Sequence, residues 1–346
     1  MRLLRVGITH GDINGISLEL ITKALGSPEL LEICTPVVFS NEQCFMQAAQ
    51  LAILEQPIPL QTISSAKETM DGRVNLVNAC EEDTTIEWGQ QTEMALKAEA
   101  ASLNAAIDAY KDGIIDVLLC APGQLDNDLE RHSLSDFIKQ ATQSSDMGFD
   151  WIVNGDVRML RLQPISYTTE LGEGFAIEAF EEEISTINKH LKQDFGVIKP
   201  RIALVSSKTE IGTYVKELQE QQITIFGPFE AKQYIEEGYY KHFDASLFLD
   251  EDNGHAQLLE KLDRNETIGF VSGLPLVLVY PLTGVCYEKA GKGVVDDTPL
   301  RTALYAAIDI YRNRHTYLQA IQNPLEKQWV PKGRDDFKLD LTKEEE

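Results

Sequence analysis

The sequence predicts an α/β protein built on a parallel or mixed sheet with helices on both faces, and three observations predict it. Short apolar runs alternate with amphipathic stretches of helical period along most of the chain. Some of those runs, such as "IIDVLLCAP" over 114–122, are apolar almost throughout, the pattern of a strand covered on both faces. The chain has 346 residues, 43% of them hydrophobic, enough for a sizeable core in two domains or one large α/β unit.

The elements follow in order. "LLRVGIT" (3–9) reads as a buried strand, "GDING" as a turn, and "ISLELITKALGS" as a helix ended by Gly26. "TPVVFS" (35–40) is a strand, followed by a helix capped by Ser40 or Asn41. An Ala-rich helix over 92–113 feeds the strand at 114–122. The charged run within 178–196 is the solvated face of a helix. "RIALVSS" (201–207) is a strand, "TYVKELQEQ" a helix and "ITIFGPF" another strand. The most apolar region, 267–281, holds one or two strands, and 297–315 an amphipathic helix whose apolar stripe faces the core. No internal repeat is visible, and the charged tail at 331–346 reads as disordered.

Composition excludes some classes. Fifty-five acidic residues against 31 basic ones leave a net charge of −24, which argues against nucleic acid and anionic membrane surfaces. Five scattered cysteines without a C-x-x-C read as reduced thiols. The N-terminus lacks a signal-peptide apolar run, and no 18-residue apolar stretch occurs, so a soluble cytoplasmic protein is expected.

"THGDINGISLE" (9–19) is a Gly-punctuated strand-to-helix turn containing Gly11 and Asp12. Such a turn either presents backbone N–H groups to an anion at a helix N-terminus or is a plain turn with Asp12 as a cap. "FLDEDNG" (248–254) offers oxygen from Asp250, Glu251, Asp252 and Asn253, as a cation site or as a solvated acidic turn.

Together these segments resemble the 4-hydroxythreonine-4-phosphate dehydrogenases of pyridoxal phosphate synthesis, in their Bacteroidetes-like form. Thr9, Gly11, Asp12, Gly15 and Glu19 match the opening "T-x-G-D-x-x-G-x-G-x-E", with Ser17 where a Gly is usual. "DVLLCAP", "HLKQDFGVIKPRIAL", "GPFEA", "HFDASLFLDEDNG", "GLPLVLVYPLTGVCYEKAGKG" and "LYAAIDIYRNR" resemble further family stretches in the family's order. The resemblance implies a two-domain isocitrate/isopropylmalate dehydrogenase-like fold, with mixed, mainly parallel sheets around a cleft. Residues 1–125 plus 268–330 would form the first domain, and 126–267 a second with homodimer contacts. It implies NAD-dependent oxidation of a secondary alcohol followed by decarboxylation, with a divalent metal acting as Lewis acid.

The residues that this chemistry requires are not matched. Of the three metal-binding imidazole positions, the first falls at Leu134, with His132 two residues earlier, the second near Ile165, and the third at Glu251, with His255 four residues late. The family's phosphate-seeking Lys position holds Leu125, the Arg after "G-L-P" is Leu278, and an Asn of the preceding strand falls at Ile268. The expectation is therefore a divergent homologue that has lost metal-dependent catalysis and acts as a ligand-binding or partner protein without a divalent metal. The alternative is an active oxidative decarboxylase with a rebuilt carboxylate site of Asp136, Glu251 and Asp252. "EKAGKGVVDD" resembles the adenine-side loop, so Glu288, Ala290, Gly291 and Gly293 are the candidate residues for weak NAD binding. Gly11, Asp12, Asp136, Asp252 and Asn253 are the candidate cleft residues.

Overall fold

The computed structural model describes residues 2–52, 56–124, 134–144, 146–162, 177–208, 211–249 and 253–322. The tail at 331–346 and the positions Leu125, His132, Ile165, Glu251 and Asp252 lie outside them.

Among the described residues twelve strands form one continuous sheet. They are β1 (Leu4–Thr9), β2 (Cys34–Ser40), β3 (Leu60–Ile63), β4 (Val74–Asn78), β5 (Val117–Cys120), β6 (Phe149–Asn154), β7 (Val157–Leu162), β8 (Ile202–Val205), β9 (Ile225–Phe229), β10 (Ala245–Leu249), β11 (Thr267–Ser272) and β12 (Val277–Pro281). Their spatial order is β3-β4-β2-β1-β5-β12-β11-β6-β7-β10-β8-β9. Neighbours are parallel except β12–β11, β11–β6 and β6–β7, which are antiparallel. The sheet is therefore mixed and mainly parallel. The apolar stretch at 267–281 resolves into the two antiparallel strands β11 and β12, turning at Gly273–Leu276.

The helices are α1 (Ser17–Ala24), α2 (Leu30–Ile33), α3 (Glu42–Leu51), α4 (Glu93–Lys111), α5 (Leu134–Thr142), α6 (Ile177–Gln193), α7 (Gly212–Glu220), α8 (Ala231–Glu236), α9 (Gly254–Lys261) and α10 (Thr298–Gln322). Local chemistry starts two of them. Asn41 accepts the Cys44 amide at 3.1 Å ahead of α3, and Thr92 accepts the Ala95 amide at 3.2 Å ahead of α4. Helix α10 runs seven residues past the 315 expected from periodicity, and its buried stripe of Leu300, Ala303, Leu304, Ala307 and Ile308 faces the core.

Along β12, Val277 and Val279 pack into one hydrophobic cluster, and Leu278 packs into another with Leu276 just before the strand. That alternation is expected of a strand covered on both faces. A buried ion pair between Arg314 Nε and Asp194 Oδ1 at 2.7 Å ties α10 to the loop after α6. Beside it, Trp151 Nε1 donates to Ser272 Oγ at 3.0 Å, and Ser272 Oγ shares a hydrogen bond of 2.8 Å with His190 Nδ1. None of the five cysteines is in a disulfide. Among the described residues, no helix is long and apolar enough to cross a membrane.

Candidate functional site

Three strands that lie side by side and run parallel, β1, β5 and β12, end at one edge of the sheet. Ligands of open α/β sheets bind at such carboxyl ends. The loops after these strands, 10–16, 121–124 and 282–297, build the site described here.

Gly11 has φ +61°, and a Cβ there would stand 2.2 Å from the Pro122 carbonyl oxygen. Only glycine allows the first two loops to meet so closely. The Asp12 amide then donates to Pro122 O at 3.0 Å, and the Ser17 hydroxyl donates to the same oxygen. Asp12 is fully buried. Its Oδ1 accepts the Asn14 amide at 2.8 Å, an Asx turn rather than a helix cap. Its Oδ2 accepts from Gln124 Nε2 at 2.8 Å and from the Tyr287 hydroxyl. Burial and the bond to Asp12 push the Tyr287 phenol well above its usual range. Buried Glu99 of α4 accepts the Gln124 amide at 2.9 Å, so Gln124 links its own loop and the first loop to α4, and Tyr287 joins the third loop through Asp12. The N-terminus of α1 is covered as well, since the Ile16 amide donates to Val285 O at 3.1 Å.

His10 was not singled out by its sequence context. It is fully buried, with Nδ1–H donating to Gly11 O at 2.7 Å and Nε2 3.3 Å from Cys80 Sγ. Burial lowers its pKa to about 4, against a smaller upward pull from its own hydrogen bond and from Asp12. The imidazole is neutral at pH 7.

The loop after β12 is tied down by α1. Buried Glu19 accepts the Gly291 amide at 2.6 Å and the Gly293 amide at 2.9 Å. Lys23 Nζ donates to the carbonyls of Gly293 and Val295, both at 2.7 Å. The two glycine N–H groups are thus engaged within the protein, Ala290 is buried in the core, and Glu288 is exposed. A pocket of about 370 Å³ opens beside this loop, within the size range of small-molecule sites. Ile16, Leu20, Val294 and Pro299 supply apolar walls, and Arg264 and Lys289 also line it.

The other candidates lie apart from this geometry. Asp136 is exposed in the first turn of α5. Asn253 is exposed and left-handed at φ +51°, immediately before α9. His255 packs edge-on against Phe248 at 6.0 Å between ring centroids. Leu134 and Leu278, the positions at which the resemblance places an imidazole and a guanidinium, are both buried in one apolar cluster with Leu118, Ile138, Leu274 and Leu276. Tyr280, two residues on, lies over Gly269 of β11, where a Cβ would stand 2.2 Å from its ring. Among the described residues, no group of three or more His, Cys, Asp or Glu side chains gathers as a metal site would need.

Fold and loop placement together define an α/β protein with a mixed, mainly parallel sheet and a candidate site at the strand ends. The 16%-identical 4-hydroxythreonine-4-phosphate dehydrogenase from Klebsiella pneumoniae superposes with a TM-score of 0.68, covering 90% of this chain and 100% of that one. One from Burkholderia phymatum, 20% identical, gives 0.65 over 90% and 99%. At these identities the likeness concerns the fold. The family model "Pyridoxal phosphate biosynthetic protein PdxA" matches residues 32–307, and the chain belongs to this family. A 4-hydroxythreonine-4-phosphate dehydrogenase of Bacteroides thetaiotaomicron is 29% identical over 98% of this chain and 97% of its own length. A D-threonate 4-phosphate dehydrogenase of Cupriavidus necator is 22% identical over 89% and 98%.

Proposed function

We propose that this PdxA-family chain has lost metal-dependent oxidation of 4-hydroxythreonine 4-phosphate and keeps the inherited cleft as a ligand-binding shape, as a homodimer or in association with a partner. The observation that carries this reading is the shared burial of Leu134 and Leu278 in one apolar cluster. A divalent ion needs nitrogen or oxygen donors, and a phosphate needs charged donors. Leucine supplies neither, and a buried apolar cluster leaves no room for hydrated ions. The residues at this corner do not fit the metal, and no catalytic step is assigned through one. A nicotinamide dinucleotide fits better: the loop at 288–297 is rigidly held by Glu19 and Lys23, and an apolar-walled pocket adjoins it.

The experiment is an assay of purified protein with 4-hydroxythreonine 4-phosphate, NAD and either Mg²⁺ or Zn²⁺, following NADH absorbance. No turnover is expected, together with a thermal shift on adding NAD and none on adding metal. Turnover at the rates of ordinary enzymes, about 1–1000 per second, would overturn the proposal. It would favour instead a working site rebuilt from carboxylates such as Asp136, Glu251 and Asp252.

A further inference from the structure

The amino ends of the parallel strands β5 and β12, at the sheet edge opposite the candidate site, frame a second pocket of about 510 Å³. Helix α10 runs back past both strands, and its Tyr311, Arg314, His315 and Leu318 line this pocket together with Tyr110 and Val277. Spacings of three and four residues put the four α10 side chains on one face of the helix. The Tyr311 and His315 rings stack at 17° with centroids 6.2 Å apart, which gives the pocket a flat aromatic side. The same face continues to Ile321 and loses its cover toward the helix end: Leu318 is 40% exposed and Ile321 52%. An amphipathic helix turns such a stripe toward something apolar.

The sequence names a candidate to cover it. Beyond Gln322, the last described residue, the chain continues with "NPLEKQWV" (323–330), which holds Leu325, Trp329 and Val330. The other two tryptophans are already placed, since Trp151 is fully buried and Trp88 packs against the core. Tryptophan is highly buried on average, so a third one this close to an open apolar stripe is informative.

We propose that residues 323–330 fold back along α10 and seat the Trp329 indole in this pocket, with Leu325 over Leu318 and Ile321. Reach permits it. From Gln322 back to Tyr311 is about 16 Å of helix, whereas Trp329, seven residues past Gln322, commands about 23 Å of extended chain. Pro324 favours the reversal: the residue before a proline avoids the helical region, so the chain leaves the α10 axis at Asn323. Lys111 and Arg314 bring cations to the pocket, and the indole face attracts cations more strongly than the other aromatic rings. A tethered segment also acts at a local concentration on the order of millimolar, which favours it over a free partner of similar affinity. The strap fixes the far end of α10 and ties it to the end of α4, where Tyr110 lies.

Two readouts on the full chain test this. The first is the fluorescence of Trp329, taken as the difference between wild type and Trp329→Phe, with acrylamide as the quencher. The second is hydrogen exchange at the Gly113, Ile114 and Asp116 amides beside the pocket. The variants are Trp329→Ala and Leu318→Arg, the second at an exposed position, and circular dichroism checks that both fold. In wild type the Trp329 emission is expected to be blue-shifted and shielded from acrylamide relative to the urea-unfolded chain. Leu318→Arg should abolish that shielding, and either variant should speed exchange at the three amides about tenfold. A Trp329 emission in wild type equal to that of the unfolded chain would overturn the proposal. So would shielding that survives Leu318→Arg with unchanged exchange, which would place the indole elsewhere. Shielding that disappears on dilution would also overturn it, and would assign the pocket's cover to a second copy of the chain.

Discussion

Burial of His10 makes the turn after β1 sensitive to acid. Its pKa is about 4 in the folded protein, against 6.5 for an exposed imidazole. Between those values the unfolded chain takes up a proton that the folded chain refuses. The stability contribution is therefore complete above pH 6.5 and is lost as pH falls toward 4. The shift amounts to about 3 kcal/mol over that window. His10→Gln should flatten this part of the profile: urea unfolding at neutral and acid pH should show a smaller difference for the variant than for wild type. Equal differences would mean that His10 is not the group responsible. Nothing local marks this residue, because a single histidine beside a glycine turn has no periodicity to set it apart. Its burial depends on Ser102, Cys80 and Gly11, which come from three segments. Asp12, by contrast, could be picked out from the sequence as a site residue, but its partners Gln124 and Tyr287 could not, since they lie 112 and 275 residues away.

Among the elements, α1 does more than cover the sheet. Its Glu19 carboxylate and Lys23 ammonium hold opposite groups of one loop, the amides of Gly291 and Gly293 and the carbonyls of Gly293 and Val295. Glu19→Gln replaces an acceptor of two charge-assisted bonds with a neutral amide that can accept only at one atom. The loss is about 1–3 kcal/mol of local stability. Hydrogen exchange should then quicken at the Gly291 and Gly293 amides while the β1 amides stay protected. Unchanged protection of the two glycines would show that the loop holds itself. Helices α1, α3, α4, α6 and α10 were legible because their apolar spacing and caps are local properties. Strands β3, "LQTI", and β4, "VNLVN", were not. Each is four or five residues long and half polar, and becomes a strand only by pairing with a neighbour.

In the whole molecule, the sheet order decides which residues share a corner. Leu134 begins α5 and Leu278 sits in β12, yet both enter one cluster with Leu118 of β5 and Leu274 and Leu276 of the β11–β12 turn. Leu278→Arg would place a guanidinium there without a partner and should cost about 3–5 kcal/mol, as uncompensated buried charges do. Thermal unfolding checks this. A variant as stable as wild type would mean that the corner is open to water and that a charged ligand group could enter it. Alternating apolar and amphipathic runs by themselves determined the α/β class with a parallel or mixed sheet, since both are properties of residue type and spacing. The tertiary structure alone decided that Leu134 and Leu278 close one apolar corner and that Glu19 occupies the glycine amides. Those are contacts between segments far apart in sequence, and only chain pairing in the sheet sets their distance.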